Sequence, residues 1–149
     1  KKTQNLKKLE DAVVFARKSG IEVGCFFILG FIGETKEEIK ATINFAHRLR
    51  QLGADNFYFS YATPLYGTEL YAQAKQGGFL KEGFSDDALS EVNPLIETPE
   101  FSAKDLRELI AEANLVNRTV THNRVLRAIR DPRKALKVLL ARKNRTIEK

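Results

Sequence analysis

One stretch, Ile21 to Thr68, does most to limit what this chain can become. It opens with the apolar run IEVGCFFILGFIGET, passes through an amphipathic segment, and closes with ADNFYFSYATPLYGT. The first run is nearly continuous and rich in β-branched and aromatic residues, which suits a parallel strand buried on both faces. It spans Ile21 to Phe31 and ends in a Gly-x-x-Gly turn, Gly30 to Gly33. Thr35 with Glu38 is a capping-box pattern, so a helix starts there. Ile39, Ile43, Ala46 and Leu49 form its buried stripe, with Lys36, Glu37, Lys40 and Arg48 facing water and Gly53 ending it. From Asn56 to Ala62 the pattern alternates, Phe57, Phe59 and Tyr61 against Asn56, Tyr58, Ser60 and Ala62. Strand, helix and strand joined so closely make a parallel βαβ crossover. The aromatic face packs under helices, and the mixed-polar face looks into a barrel lumen or cleft. Both strand exits are loops, the place where α/β proteins carry their chemistry.

The flanking segments read as helices and irregular chain. Leu6, Leu9, Val13 and Ala16 recur at helical spacing over residues 4–19, with Phe15 on the flank and Gly20 as the stop. Pro64 and Gly67 break the chain after the second strand, and a short helix follows from Thr68 to Gln76. Residues 79–101 read as irregular, with Pro94 and Pro99 bracketing an extended segment that adds a strand or crosses the barrel mouth. Ser102 with Asp105 caps a further helix through Leu106, Ile110, Ala113 and Val116, and Asp131-Pro132 starts the last one. The division is therefore 1–80 for the α/β part, 81–101 for the connection and 102–149 for a helical extension.

Charge is uneven along this 149-residue chain. From Arg118 onward eleven Lys/Arg stand against Asp131 and Glu148, so the basic character belongs to the C-terminal tail. No apolar run approaches the roughly 20 residues of a membrane helix. A single cysteine, Cys25, excludes an internal disulfide and any metal site made of several cysteines of this chain, and points to a reducing, cytoplasmic setting. Cys25 is most simply a small hydrophobe in a strand. His47 sits on a helix surface and His122 in a basic linker, with no third ligand spaced to join either. Tyr61, Tyr66 and Tyr71 read as packing residues. The absence of methionine, and an opening in mid-pattern, mark the chain as a piece of something longer.

From Leu6 to about Leu80 the sequence resembles the later part of the radical S-adenosylmethionine barrel, closest to the sub-group whose members often carry an upstream cobalamin-binding domain. The residues that carry the likeness are FFILGFIGET (Phe26–Thr35), the amphipathic helix after it, and TPLYGTELY (Thr63–Tyr71). Ile32 and Tyr66 stand where that family commonly has proline, which makes both loops less rigid than its usual ones. The likeness covers about half of the chain. It implies a partial (β/α) TIM-like barrel, in which the chain is a parallel βαβ unit followed by a helical extension.

The same resemblance implies an enzyme, an oxidoreductase or transferase, that transfers an electron from a four-iron four-sulfur (4Fe-4S) cluster to S-adenosylmethionine (SAM) and cleaves it to a 5′-deoxyadenosyl radical. Cobalamin is a further cofactor it suggests. The family's Cys-x-x-x-Cys-x-x-Cys motif is absent here, so the chain by itself neither holds the cluster nor makes a radical. What it implies for this chain is a cofactor-facing wall. Ile28 and the Gly30 backbone lie against adenine, where a side chain at Gly30 would crowd the ligand. Ser60, Ala62 and Thr63 face the nucleoside or substrate, and Glu34 orients the loop or contacts ribose. Read without the resemblance, Gly30 and Gly33 make a turn, and Glu34 favours a helix N-terminus.

Two other readings stay open from the residues alone. One is a non-catalytic binding or scaffold module whose basic tail contacts RNA, an anionic surface or a partner subunit. The other is a phosphate-binding barrel that uses backbone groups near Gly30–Gly33. A lone parallel unit also leaves both strands with outer edges, so its expected partner is the missing N-terminal half of the barrel or a second copy. The substrate, small molecule or RNA, is not readable.

Overall fold

The computed structural model describes residues 5–90, 93–118 and 129. Helix α1 (Leu6–Lys18) leads into strand β1 (Gly24–Leu29), helix α2 (Lys36–Leu52) and strand β2 (Asn56–Tyr61). Helices α3 (Glu69–Gln76), α4 (Asp86–Ser90) and α5 (Ala103–Asn114) follow, with a 3-10 turn over Leu115–Arg118. The fold is α/β: β1 and β2 pair in parallel, Gly24 opposite Asn56 through Leu29 opposite Tyr61, with a helical C-terminal part. Among the described residues no helix is long and apolar enough to cross a membrane.

Local chemistry explains the helix starts. Thr35 Oγ1 accepts from the Glu38 N–H while Glu38 Oε2 accepts from the Thr35 N–H, and Ser102 and Asp105 repeat the exchange at α5. Gly53 closes α2 with φ 113°, a left-handed conformation that a side chain would resist. Between α4 and α5 none of the described residues joins the sheet. Leu80 and Ile96 form an isolated antiparallel bridge, so the extended segment pairs with the chain just before α4. Helix α4 lies inside a region read from sequence as irregular; its five residues are too few to show a period.

Among the described residues the core packing lies on one side of the sheet. Leu29, Ile39 and Ile43 share a core with Leu106, Ile110 and Phe101, against which Phe59 and Tyr61 rest. A second core joins Val13, Ala46, Leu49, Phe57 and Val116, with Cys25 and Phe27 against it. The odd-numbered strand residues thus meet helices, as the alternation in β2 requires. The opposite face is open: Phe26 is 78% exposed, Ile28 53% and Tyr58 52%. The expectation that β1 is buried on both faces is corrected here, because among the described residues no element covers the even-numbered face. Helix α1 departs from its expected stripe as well. Val13 is buried, yet Leu6 and Leu9 remain exposed beside an apolar groove of about 700 Å³ between α1 and β1. The Asp131-Pro132 helix and the basic tail lie outside the described residues, apart from Arg118 and Ile129.

Candidate functional site at the strand exits

The parallel register sets Ile28 opposite Ser60, and Leu29 opposite Tyr61, so the two strand exits lie side by side. Ile28 and Ser60 are exposed on the open face, next to a stacked Phe26–Tyr58 pair with ring centroids 4.7 Å apart. The Ser60 hydroxyl donates to the Phe27 carbonyl at 3.4 Å, a long bond that leaves its oxygen able to accept from a ligand. Thr63 is exposed just past β2, its Oγ1 donating to the Tyr61 carbonyl at 3.3 Å. Ala62 differs from its neighbours. Its N–H donates to the Leu29 carbonyl at 2.8 Å and its side chain is buried, so it supports the exit and offers a ligand no open surface.

The first loop is held from within. Glu34 Oε2 accepts from the N–H groups of Gly30 at 2.7 Å and Phe31 at 2.9 Å, while the Glu34 N–H returns to the Phe31 carbonyl at 3.0 Å. Charge-assisted bonds of this kind are stronger than neutral ones. Of the roles open to Glu34 from sequence, orienting the loop is the one its bonds display. Gly30 has φ 89°, and a Cβ there would lie 2.4 Å from Leu106 Cδ2 of α5. The left-handed φ selects glycine here, and the approach of Leu106 from the protein's own core adds to the cost of a side chain. At Gly33, φ 85°, a Cβ would meet nothing within 4 Å, so only the turn geometry selects glycine.

Two features at the ends of β2 were not legible as units in the sequence. Tyr66, Tyr71 and Phe84 gather beyond β2, Tyr66 lying 4.8 Å from Tyr71 and 5.7 Å from Phe84 between centroids. Their separation in the chain hides the cluster. At the other end of β2 is a buried polar clasp. Arg50, 5% exposed, donates to the carbonyls of Val116, Ala54 and Asp55, and its guanidinium carbon lies 4.8 Å over the Phe57 ring. Asn117 completes it. Its side-chain oxygen accepts from the Phe57 N–H at 3.0 Å and from Arg50 Nη2 at 3.3 Å, and its amide donates to the Phe57 carbonyl at 2.8 Å. Cys25 lies on the helix side, and burial pushes its thiol pKa up. Among the described residues no group of three His, Cys, Asp or Glu is placed to hold a metal ion.

No protein-family model matches the chain. Two curated proteins are similar to it. An uncharacterized methyltransferase of Pyrococcus horikoshii is 33% identical over 103 residues, 69% of this chain and 22% of that protein. The cytidylyl-2-hydroxyethylphosphonate methyltransferase of Streptomyces wedmorensis is 28% identical over 121 residues, 76% of this chain and 22% of its own length. The chain spans about a fifth of the length of the relatives it matches. Both are named methyltransferases.

Proposed function

We propose that this chain is the later part of the barrel of a radical SAM enzyme, that its open sheet face lines the cofactor side, and that the whole protein transfers a methyl group. The observation that carries this reading is the register of Ile28 against Ser60, which gives two adjacent parallel strand exits one shared open face. The names of both relatives support methyl transfer.

The residues present suit one half of such a site. Exposed Ile28 offers an apolar surface for the adenine of SAM, and the hydroxyls of Ser60 and Thr63 offer bonds to its ribose or to substrate. Glu34 and Gly30 act on the ligand indirectly, by fixing the strand exit. A 4Fe-4S cluster takes three thiolates in this family, and the chain's single cysteine is half-buried on the helix side, so these residues do not fit a cluster. In this reading the cluster is held by polypeptide outside the chain. Cobalamin belongs to the same reading and would likewise be held elsewhere. The work left to these residues is positioning and shielding, with the hard chemistry belonging to the cofactor.

The coding sequence upstream of Lys1 tests the proposal directly. It should contain a Cys-x-x-x-Cys-x-x-Cys motif within about half a barrel, and without one the reading fails. The protein with that sequence restored, reconstituted with iron and sulfide and reduced, should release 5′-deoxyadenosine from SAM. Ser60→Trp should abolish that release while leaving the thermal midpoint in place. Retention of release by Ser60→Trp would remove the open face from the site. The chain alone should bind SAM weakly, since it lacks the cluster; tight binding by calorimetry would contradict the assignment.

A further inference from the structure

The turn after β2 carries a ring that the turn itself does not need. The Thr68 N–H donates to the Leu65 carbonyl at 3.1 Å and Gly67 supplies φ 78°, so residues 65–68 form a β-turn of the type II kind with Tyr66 at its second position. That position favours proline, and turns in general favour small or polar residues. Here Leu65 is 51% exposed and Tyr66 50%, although Pro64 beside them is fully buried. The turn is held at both ends. The Leu65 N–H donates to the Thr63 carbonyl at 2.9 Å. The Thr68 hydroxyl donates to the Leu65 carbonyl at 2.6 Å and accepts from the Tyr71 N–H at 3.2 Å. One side chain, Thr68, thus ties the backbone next to Tyr66 to that of Tyr71.

The third ring of the cluster is held as well. Phe84 closes a second turn, its N–H donating to the Lys81 carbonyl at 3.1 Å, and the Lys81 N–H is itself bonded to the Leu95 carbonyl. Tyr66 stands at 61° to Tyr71 and 69° to Phe84, so those two rings meet it edge to face and brace it from behind. The result is an aromatic ring with half its surface outward and little freedom left to lose on binding. Rigid aromatic side chains give large contact area at low entropic cost, and they stack on flat rings. Tyr66 lies three residues beyond Thr63, at most about 11 Å of chain, so it borders the exposed Thr63 hydroxyl at the second strand exit. We infer that Tyr66 is a specificity-determining residue, which takes the flat face of an aromatic ring of the substrate, with Leu65 against the ring's edge and Thr63 as the nearest hydroxyl. The inference rests on the reading of the strand exits as one site, and it adds the substrate class, a molecule carrying a planar ring.

Indole and uridine serve as planar probes, and cyclohexanol as a ring of similar size without a flat aromatic face. The chain has no tryptophan, so the emission of added indole is read against tyrosine alone. In the 149-residue chain with isotope-labelled tyrosine and phenylalanine, millimolar indole or uridine should shift the ring resonances of Tyr66, and cyclohexanol should not. Tyr66→Leu keeps apolar contact with Tyr71 and Phe84 but has no flat face. It should weaken both planar probes by at least about 5-fold, with a thermal midpoint near that of the parent, whereas Tyr66→Phe should stay within about 2-fold. The shifts in the parent chain need no variant, so poor folding of Tyr66→Leu leaves the test in place. Equal shifts with cyclohexanol would overturn the inference, as would planar probes that leave Tyr66 unmoved, or full retention of binding by Tyr66→Leu. The measurement contains no SAM and so stands apart from the cofactor reading. Loss of ring binding leaves the upstream cluster motif to be sought on its own, and absence of that motif leaves the ring site as measured.

Discussion

Replacing Asn117 by leucine, close to it in shape, removes the carboxamide from the edge of β2 without opening a large cavity. Two bonds to the Phe57 backbone disappear, the N–H bond of 3.0 Å and the carbonyl bond of 2.8 Å, and Arg50 Nη2 loses an acceptor at 3.3 Å. Phe57 is buried, so water reaches its backbone groups poorly and each lost partner leaves a group short of a bond. An unsatisfied buried group costs about 1–3 kcal/mol. Asn117 itself is only partly buried, and the leucine recovers some apolar contact, which sets the expected loss at about 2–4 kcal/mol. Urea unfolding followed by circular dichroism should then show a midpoint lower by roughly 1–2 M with an unchanged slope. The control is Asn114→Leu, whose amide donates to the Ile110 carbonyl within its own helix, and which should shift stability by less than about 1 kcal/mol. If Asn117→Leu unfolds within about 0.5 kcal/mol of the parent, the edge groups are solvated, and Asn117 is not what satisfies the Phe57 backbone.

Other expectations follow from the loop and caps. Gly30→Ala places a Cβ against Leu106 in a left-handed conformation, and calorimetry should register a loss of about 2 kcal/mol or more, only part of it recovered by pairing with Leu106→Ala. Glu34→Ala frees the Gly30 and Phe31 N–H groups and should cost about 1–3 kcal/mol, whereas Glu34→Gln, which keeps an acceptor, should cost less; equal losses would deny the carboxylate its loop-holding role. The bond from Lys36 holds the Asp105 carboxyl well below the usual carboxylate range, with Ser102 adding to it. Its folded value is depressed, so its contribution is present above the unfolded value near roughly pH 4 and drains away as pH falls below it. Thermal midpoints should therefore decline less steeply in acid for Asp105→Asn than for the parent chain.

What the sequence makes legible here is mainly what is local. Thr35 with Glu38 and Ser102 with Asp105 are three residues apart, and both capping boxes stand where the pattern puts them. The alternation read from Asn56 to Ala62 sorts the helix face of β2 from its open face as far as Tyr61 and fails at Ala62, which it puts on the open face and the structure buries. The apolar run of β1 misleads, because a continuous run cannot show whether one face or both are covered, and covering depends on elements elsewhere. Ile28 and Ser60 share the open face as the strand pattern requires and Thr63 is exposed just past β2, while Ala62, which the alternation puts on the open face, and Gly30 are buried. The enclosure of Gly30 comes from Leu106, far along the chain, and no spacing rule reports it.

The Arg50 clasp also imposes an order in time. Its bonds to Ala54 and Asp55 reach four and five residues along the chain and form with the end of α2. Its bonds to Val116 and Asn117 span 66 and 67 residues. Closing so long a loop is entropically costly and slow compared with local turns. During synthesis, then, α2 and β2 leave the ribosome before Val116 and Asn117 can reach Arg50 and the base of β2. Only when the 3-10 turn emerges is that edge sealed, so the interval between the two is when this chain is most open to mispairing.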